Sequence, residues 1–257
     1  MSDLAKLTAA RMDGKPVSLQ SVLHAMKITD RLADFRHAVD DLLIQQAAER
    51  EGIAPTDAEL QAESDSLRAA MGLQQAAATQ AWLKQRGMNI DDFETYILRL
   101  VSARMLKQKV AADKVEAYFV EHRPAFDAAR ISRLAFGSEE TASDAERQLA
   151  AGATTFASLA DRFPADASAA PVDGAGFVFR LHLDPALAAA IFRASPGDVV
   201  GPVLTARGAH ELAQVHEVRR AELDERTSAL IEDLLFGVWL RGERERAQLE
   251  FMLPSLI

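Results

Sequence analysis

The sequence contains no cysteine among its 257 residues. This absence excludes disulfides, thiolate nucleophiles and cysteine-based zinc sites. Basic residues are in the minority, because 29 Lys and Arg stand against 38 Asp and Glu and give a formal net charge of −9. Nucleic-acid binding usually needs a basic surface, so no nucleic-acid partner is expected. A chain of this length suits one large domain or two modest ones.

Long apolar runs are missing as well. No window approaches the roughly 18 uninterrupted apolar residues that can span a bilayer, and we predict no membrane insertion. The start carries the acidic Asp3 and lacks the apolar core of a signal peptide. The sequence therefore predicts a soluble cytoplasmic protein, or a periplasmic one if a leader has been removed.

Metal-ligand patterns are also absent. The histidines that show no ligand-like spacing with acids are His24, His37, His122, His182 and His216. We interpret them as surface residues or as residues with satisfied hydrogen bonds. Neither a metal nor another cofactor is predicted.

Helical patterns dominate both ends of the chain. Apolar residues recur at steps of three and four within 28–43, 93–105 and 223–240, which predicts amphipathic helices. Thr56 and Glu59 have the spacing of a capping box and predict a helix start after Pro55.

The middle of the chain alternates between strand and helix patterns. Residues 130–136 form a candidate first strand, and Ser143 with Glu146 again has capping-box spacing that predicts a helix start. The most informative stretch is 194–215, which reads as a turn, an apolar strand, a glycine turn and a second strand. We predict a hairpin whose return strand opens on His210.

This stretch resembles the end of the parvulin-type peptidyl-prolyl isomerase domain, where P-G-[DE]-[IV]-x-G-P-[IV] leads to T-x-x-G-x-H. The matching residues are Pro196, Gly197, Asp198, Val199, Gly201, Pro202, Val203, Thr205, Gly208 and His210. Shorter motifs at 13–18, 50–59 and 155–160 extend the resemblance to the SurA/PrsA-like envelope chaperones, in which a helical domain surrounds the isomerase module.

The resemblance implies an α+β fold. An all-helical chaperone-like domain, built from N-terminal helices and a C-terminal helix, would carry an inserted parvulin-like domain with a four-stranded antiparallel sheet and helices. The implied boundaries are 1–125 for the helical part, 126–219 for the isomerase-like part and 220–257 for the returning helix.

The resemblance also assigns catalytic positions. Asp166 falls on the position of a Cys or Asp, His210 on the second histidine and Thr205 on the hydroxyl that supports it. Ser132 lies beside the position of the first histidine, which is replaced by Arg133. We expect Arg133 to pair with Asp166. Structural alternatives stay open, namely a bridge between strands for His210 and a loop cap for Asp166.

The same resemblance places a substrate pocket in front of these groups. Its expected residues are Arg133, Phe177, Leu183, Leu187 and Phe192. Leu183 stands where methionine is usual and Leu187 where phenylalanine is usual, so the pocket loses aromatic surface for a proline ring. The two leucines and Phe192 could equally be core residues.

Rotation about an X-Pro bond crosses a barrier of about 20 kcal/mol. With the first histidine missing, the resemblance implies a peptide-binding, chaperone-like protein with weak or lost cis–trans isomerisation. Its partner would be unfolded or extended polypeptide. One alternative is a non-catalytic cytoplasmic accessory that binds one precursor peptide in a peptide-maturation system of natural-product biosynthesis. A homodimer is left open.

Overall fold

The computed structural model describes residues 3–163 and 176–249. Their contacts divide the chain into two units. The first combines the chain before Asp113 with the chain from Glu232 onward, and the second is Asp113–Ile231. The domain boundaries given above remain predictions.

The first unit is helical apart from one short hairpin near its start. Its elements are β1 (Thr8–Met12), β2 (Lys15–Ser18), α1 (Leu19–Ile28), α2 (Ala33–Arg50), α3 (Asp57–Ala70), α4 (Ala76–Gln85), α5 (Ile90–Ala111) and the greater part of α10 (Glu225–Arg246). β1 and β2 pair antiparallel.

Local sequence explains where these helices begin. Ser18 caps α1, because its hydroxyl accepts a hydrogen bond from the Ser21 backbone N–H at 3.1 Å. Thr56 and Glu59 form the predicted capping box at the start of α3. The capping box predicted for Thr56 and Glu59 is therefore confirmed.

The last helix packs on the first unit through both apolar and charged contacts. Phe236, Trp239 and Leu240 pack against a buried cluster from α2 and α5. Arg244 binds the buried carboxylate of Asp40 through two hydrogen bonds, of 2.7 and 2.5 Å. Because such a fork fixes both position and orientation, it anchors α10 on α2. The predicted helical domain drawn from both chain ends is confirmed.

The second unit is built on a four-stranded sheet. Its elements are α6 (Val115–His122), β3 (Ala128–Phe136), α7 (Glu139–Ala150), α8 (Phe156–Arg162), β4 (Val178–Phe179), α9 (Pro185–Ile191), β5 (Val199–Leu204), β6 (His210–Arg219) and the start of α10. The strand order is β4-β3-β6-β5, and every neighbouring pair is antiparallel. The predicted α+β class and the antiparallel sheet are confirmed.

Strand alternation gives this sheet two different faces. On one face, Leu134, Phe136 and Leu212 pack in a buried cluster with α7 and α8. On the other, Ile131 and Ala213 pack with α9. We call these the α8 face and the α9 face. Both are covered by helices, so a polar side chain pointing into either face meets a largely apolar environment.

The β5–β6 hairpin has the predicted shape. A tight turn joins the strands, with Gly208 at φ +78°, and β6 begins at His210. Gly201 has φ +107°, and a Cβ there would lie 2.3 Å from the carbonyl oxygen of Glu211. Only glycine fits this position without moving the neighbouring strand.

One helix in the second unit begins earlier than its sequence pattern predicts, and another ends next to a proline. The predicted start at Ser143 and Glu146 is wrong, because α7 begins after Ser138, whose hydroxyl accepts from the Thr141 N–H at 3.2 Å. Near Pro124 the chain leaves α6 at His122 and continues as a short 3-10 helix.

Within 3–163 and 176–249, no helix has the length and apolar character needed to cross a membrane.

Candidate functional site

The α9 face carries an ion pair at the position where the resemblance expects a histidine. Arg133 on β3 is opposite Ala213 on β6, and Glu211 lies two residues along β6 on the same face. Arg133 Nη1 lies 3.4 Å from Glu211 Oε2, and the two side chains are 24% and 9% exposed. A carboxylate so buried needs a cation nearby, and Arg133 supplies it.

The pair does not satisfy every polar atom of the arginine. Arg133 Nε is buried and has no hydrogen-bond partner among the described residues. The remaining N–H is a hydrogen-bond donor, and a guanidinium offers no acceptor atom. The site thus offers a donor to a substrate.

An aliphatic wall lies on the same face. Leu183 and Leu187 are buried in the cluster that contains Ala213, and the partly buried Phe192 packs against it. The guanidinium carbon of Arg180 lies 5.0 Å from the centroid of the Phe192 ring, within the range of a cation–π contact. The predicted pocket residues Leu183, Leu187 and Phe192 therefore lie together.

Asp184 fixes this wall relative to the hairpin. Its carboxylate accepts from the Ala186 N–H at 2.9 Å, which caps α9, and from the Ala206 N–H at 2.8 Å in the β5–β6 turn. The hydrogen bond from Ala206, followed by those from Ala186 and Leu187, lowers the pKa of Asp184 below its ordinary value. One carboxylate thus joins the start of α9 to the loop that precedes His210.

His210 and Thr205 lie at this turn. His210 is the half-buried first residue of β6, paired with Phe136 and Leu204. Strand alternation places it with Leu212 rather than with Glu211. The buried hydroxyl of Thr205 donates to the Ala209 carbonyl at 3.0 Å, so it supports the backbone just before His210.

Ser132 lies on the α8 face. A hydrogen bond of 2.8 Å joins its Oγ to His216 Nε2. Both residues, together with Arg133, line a cavity of about 160 Å³ against Phe156 and Ala160 of α8. Ser132 is therefore separated by the sheet from the Leu183–Leu187 wall, and His216 has the satisfied hydrogen bond that the sequence suggested.

Two further predicted residues, Phe177 and Asp166, are not among the residues described so far on either face of the sheet. Phe177 lines another cavity, of about 430 Å³, together with Phe179, and the guanidinium carbon of Arg219 lies 3.7 Å from the centroid of the Phe177 ring. Asp166 lies outside the described residues, and its predicted pairing with Arg133 stays a prediction.

Sequence reasoning missed Glu211. A signal for it was present in the sequence. Residues 211, 213 and 215 alternate along β6 on the α9 face, and they are Glu, Ala and Val. A charged residue at an inward strand position requires a partner. The partner could not be identified without the register of β3 against β6.

The comparisons with known proteins agree with this fold. Residues 110–226 match the model of the PPIC-type PPIASE domain. Over these residues the chain is similar to the parvulin-type peptidyl-prolyl isomerases.

The wider chain is similar to foldase proteins. A foldase protein PrsA from Halalkalibacterium halodurans is 26% identical over 208 residues, covering 77% of this chain. The chain spans 62% of the length of that relative. The solved structure of the peptidylprolyl isomerase PrsA from Bacillus anthracis has a TM-score of 0.50 and 17% identity, and the match covers 84% of this chain and 98% of that one. A SurA-like chaperone structure from Campylobacter jejuni has a TM-score of 0.31 and 15% identity, with coverages of 95% and 100%.

Proposed function

We propose that the protein is a peptide-binding, chaperone-like member of the parvulin family whose isomerase activity is weak or lost. The Arg133–Glu211 pair on the α9 face carries the proposal. Clients would be unfolded or extended polypeptides, as the foldase name of the PrsA relative suggests.

The chemistry of isomerisation explains why this pair matters. An enzyme lowers the barrier of about 20 kcal/mol by favouring the twisted imide over the planar one. It needs an apolar socket for the proline ring and polar groups aimed at the imide. Here Arg133, which replaces the first histidine, is already paired with the carboxylate of Glu211. Its positive charge therefore stabilises a twisted imide less than an unpaired cation would.

The residues Leu183 and Leu187 also support weak or lost isomerisation. Leu183 and Leu187 are aliphatic and buried, and they provide no ring to stack against proline. Aromatic side chains usually bury more area and add a specific contact geometry. Because both leucines are packed in the core, the partly buried Phe192 is the one aromatic ring of this group that a proline could contact.

The direct test is a prolyl-isomerase assay on a tetrapeptide, with refolding of a denatured model protein followed in parallel. We expect the full chain to suppress aggregation while accelerating isomerisation less than about tenfold over background. Arg133→His restores an imidazole and is expected to raise the isomerisation rate. A high wild-type rate that is lost in both Asp166→Ala and His210→Ala would overturn the proposal in favour of an efficient enzyme.

A second candidate is a cytoplasmic accessory that holds one precursor peptide for modifying enzymes. The engaged arginine favours it, since an arginine held by a carboxylate suits binding without turnover. Crosslinking followed by mass spectrometry separates the candidates, because a general chaperone yields many unrelated clients and the accessory yields one short peptide. Light scattering of the same sample decides between a monomer and the homodimer.

A further inference from the structure

The first unit contains a groove of its own, formed by two neighbouring cavities along α3, α4 and the start of α5. One cavity measures about 740 Å³ and the other about 370 Å³. Arg68 and Ile90 line both. We call the combined depression the helical groove. Because the two cavities share lining residues and adjoin one another, the depression offers room for an extended peptide.

The floor of the helical groove is apolar. Leu83 and Met88 line the larger cavity, and Phe93 and Ile97 line the smaller one. Ile90, at the junction, is 51% exposed. A half-exposed isoleucine between buried apolar residues is a surface that a large apolar side chain would cover.

Charge is distributed unevenly along the groove. The charged residues lining the larger cavity are Arg68 and Lys84, both cations. Beyond Arg68, the smaller cavity adds the acids Asp57 and Glu94. This cavity therefore has no acidic lining residue, although the chain has a net charge of −9. An occupant with an acidic side chain at one end and a basic one at the other would match both ends.

Arg68 also retains an unused donor. Its Nε is buried without a hydrogen-bond partner among the described residues. The guanidinium carbon lies 5.8 Å from the centroid of the Phe93 ring, and Nη1 is 3.8 Å from Asp65. A buried N–H without an acceptor is unfavourable. A peptide carbonyl or carboxylate entering the groove could satisfy it.

We infer that the helical groove binds an extended peptide segment with a large apolar side chain at Ile90, an acidic side chain toward Lys84 and a basic one toward Asp57 and Glu94. This inference rests on the proposed peptide-binding function, but it assigns a second site with its own specificity, formed entirely by residues 57–97.

The test measures fluorescence anisotropy with the full chain and four labelled eight-residue peptides that share a central Leu-Leu. Their ends are acidic then basic, basic then acidic, acidic at both ends, or basic at both ends. We expect one mixed order to bind at least about threefold more tightly than either uniform peptide, which is typical of exposed charge pairs. Lys84→Glu should remove this preference and improve binding of the peptide with two basic ends.

A matched pair of substitutions tests the apolar contact. Ile90→Ser is expected to weaken binding of the preferred peptide about tenfold, in line with the loss of a central apolar contact. Leu98→Ser changes another apolar residue of α5, 43% exposed, that lines neither cavity, and it should leave affinity within twofold. Thermal unfolding of both variants confirms that the fold is retained.

Equal affinity for all four peptides, or equal loss in Ile90→Ser and Leu98→Ser, would overturn the inference. Failure of the proposed function looks different. If no peptide binds and aggregation is not suppressed, peptide binding itself is wrong. If peptides bind but affinity responds only to Arg133→Ala and not to Ile90→Ser, the α9 face is the binding site and the helical groove is not.

Discussion

Arg133 Nη1 and Glu211 Oε2 lie 3.4 Å apart on the face of the sheet that α9 covers. The residues are 78 positions apart in the chain and meet only because β3 and β6 are neighbours. The pair has one structural effect and one functional effect. It balances a charge that would otherwise be buried alone, and it occupies the arginine at the position expected for a histidine.

The first prediction concerns the coupling within this pair. Arg133→Ala leaves Glu211 buried beside Ala213 without its cation, and we expect it to reduce the free energy of unfolding by about 1–3 kcal/mol. Replacing both residues by leucine should recover most of that loss, because no buried charge remains. Urea unfolding of Arg133→Leu, Glu211→Leu and the double variant that carries both substitutions measures the coupling. Simple additivity of the single effects would contradict the interpretation.

The second prediction separates Ser132 from the peptide-binding face. Ser132→Ala removes the partner of His216 and should cost about 1 kcal/mol of stability. Peptide affinity should stay within twofold, since Ser132 faces α8. Isothermal titration with a proline-containing peptide, paired with urea unfolding, checks both quantities. A large loss of affinity with unchanged stability would instead place Ser132 in the binding site.

The third prediction follows from the lowered pKa of Asp184. A carboxyl whose pKa is lower in the folded state stabilises the fold above its unfolded pKa and loses that contribution as pH falls through the folded pKa. Stability should therefore decline below about pH 4, with a smaller decline in Asp184→Asn. Unfolding followed at several pH values tests this. A wild-type and Asp184→Asn pair with parallel pH curves would contradict it.

The fourth prediction uses two glycines of the same hairpin. Gly201→Ala brings a Cβ to 2.3 Å from the Glu211 carbonyl and should cost about 3 kcal/mol or more. At Gly208 a Cβ meets nothing within 4 Å, although φ is +78°, so Gly208→Ala should cost only about 1 kcal/mol. Thermal unfolding compares the two. Equal effects would mean that the close approach of β5 to β6 is not limiting.

The sequence predicted best what short-range chemistry determines. Residues 194–215 specify a hairpin through proline and glycine at turn positions, and Thr56 with Glu59 starts α3 as expected. The same spacing misled at Ser143 and Glu146. Ala142 and Ala145 are both buried against the sheet, so the helix must already be formed before Ser143. Packing against β3 and β6 helps to set where α7 begins. The spacing of Ser143 and Glu146 alone carries no information about that packing.

The site was harder to predict because it depends on strand register. A slip of one residue between β3 and β6 would exchange the two faces of the sheet. The resemblance grouped Ser132, Arg133 and His210 by position in the motif. Alternation separates Ser132 from Arg133, and it places the unforeseen Glu211 beside the arginine. Leu183, Leu187 and Phe192 were easier to group, since they lie within ten residues of chain on and around one short helix.

The anchoring of α10 on α2 has a consequence for synthesis on the ribosome. The carboxylate of Asp40 is made early, and its partner Arg244 lies 204 positions further along the chain. The contiguous stretch Asp113–Ile231 can therefore complete its sheet while the helical unit still lacks its closing helix. Until α10 has been made, the apolar surface around Ile44 and Leu106 stays uncovered in the nascent chain.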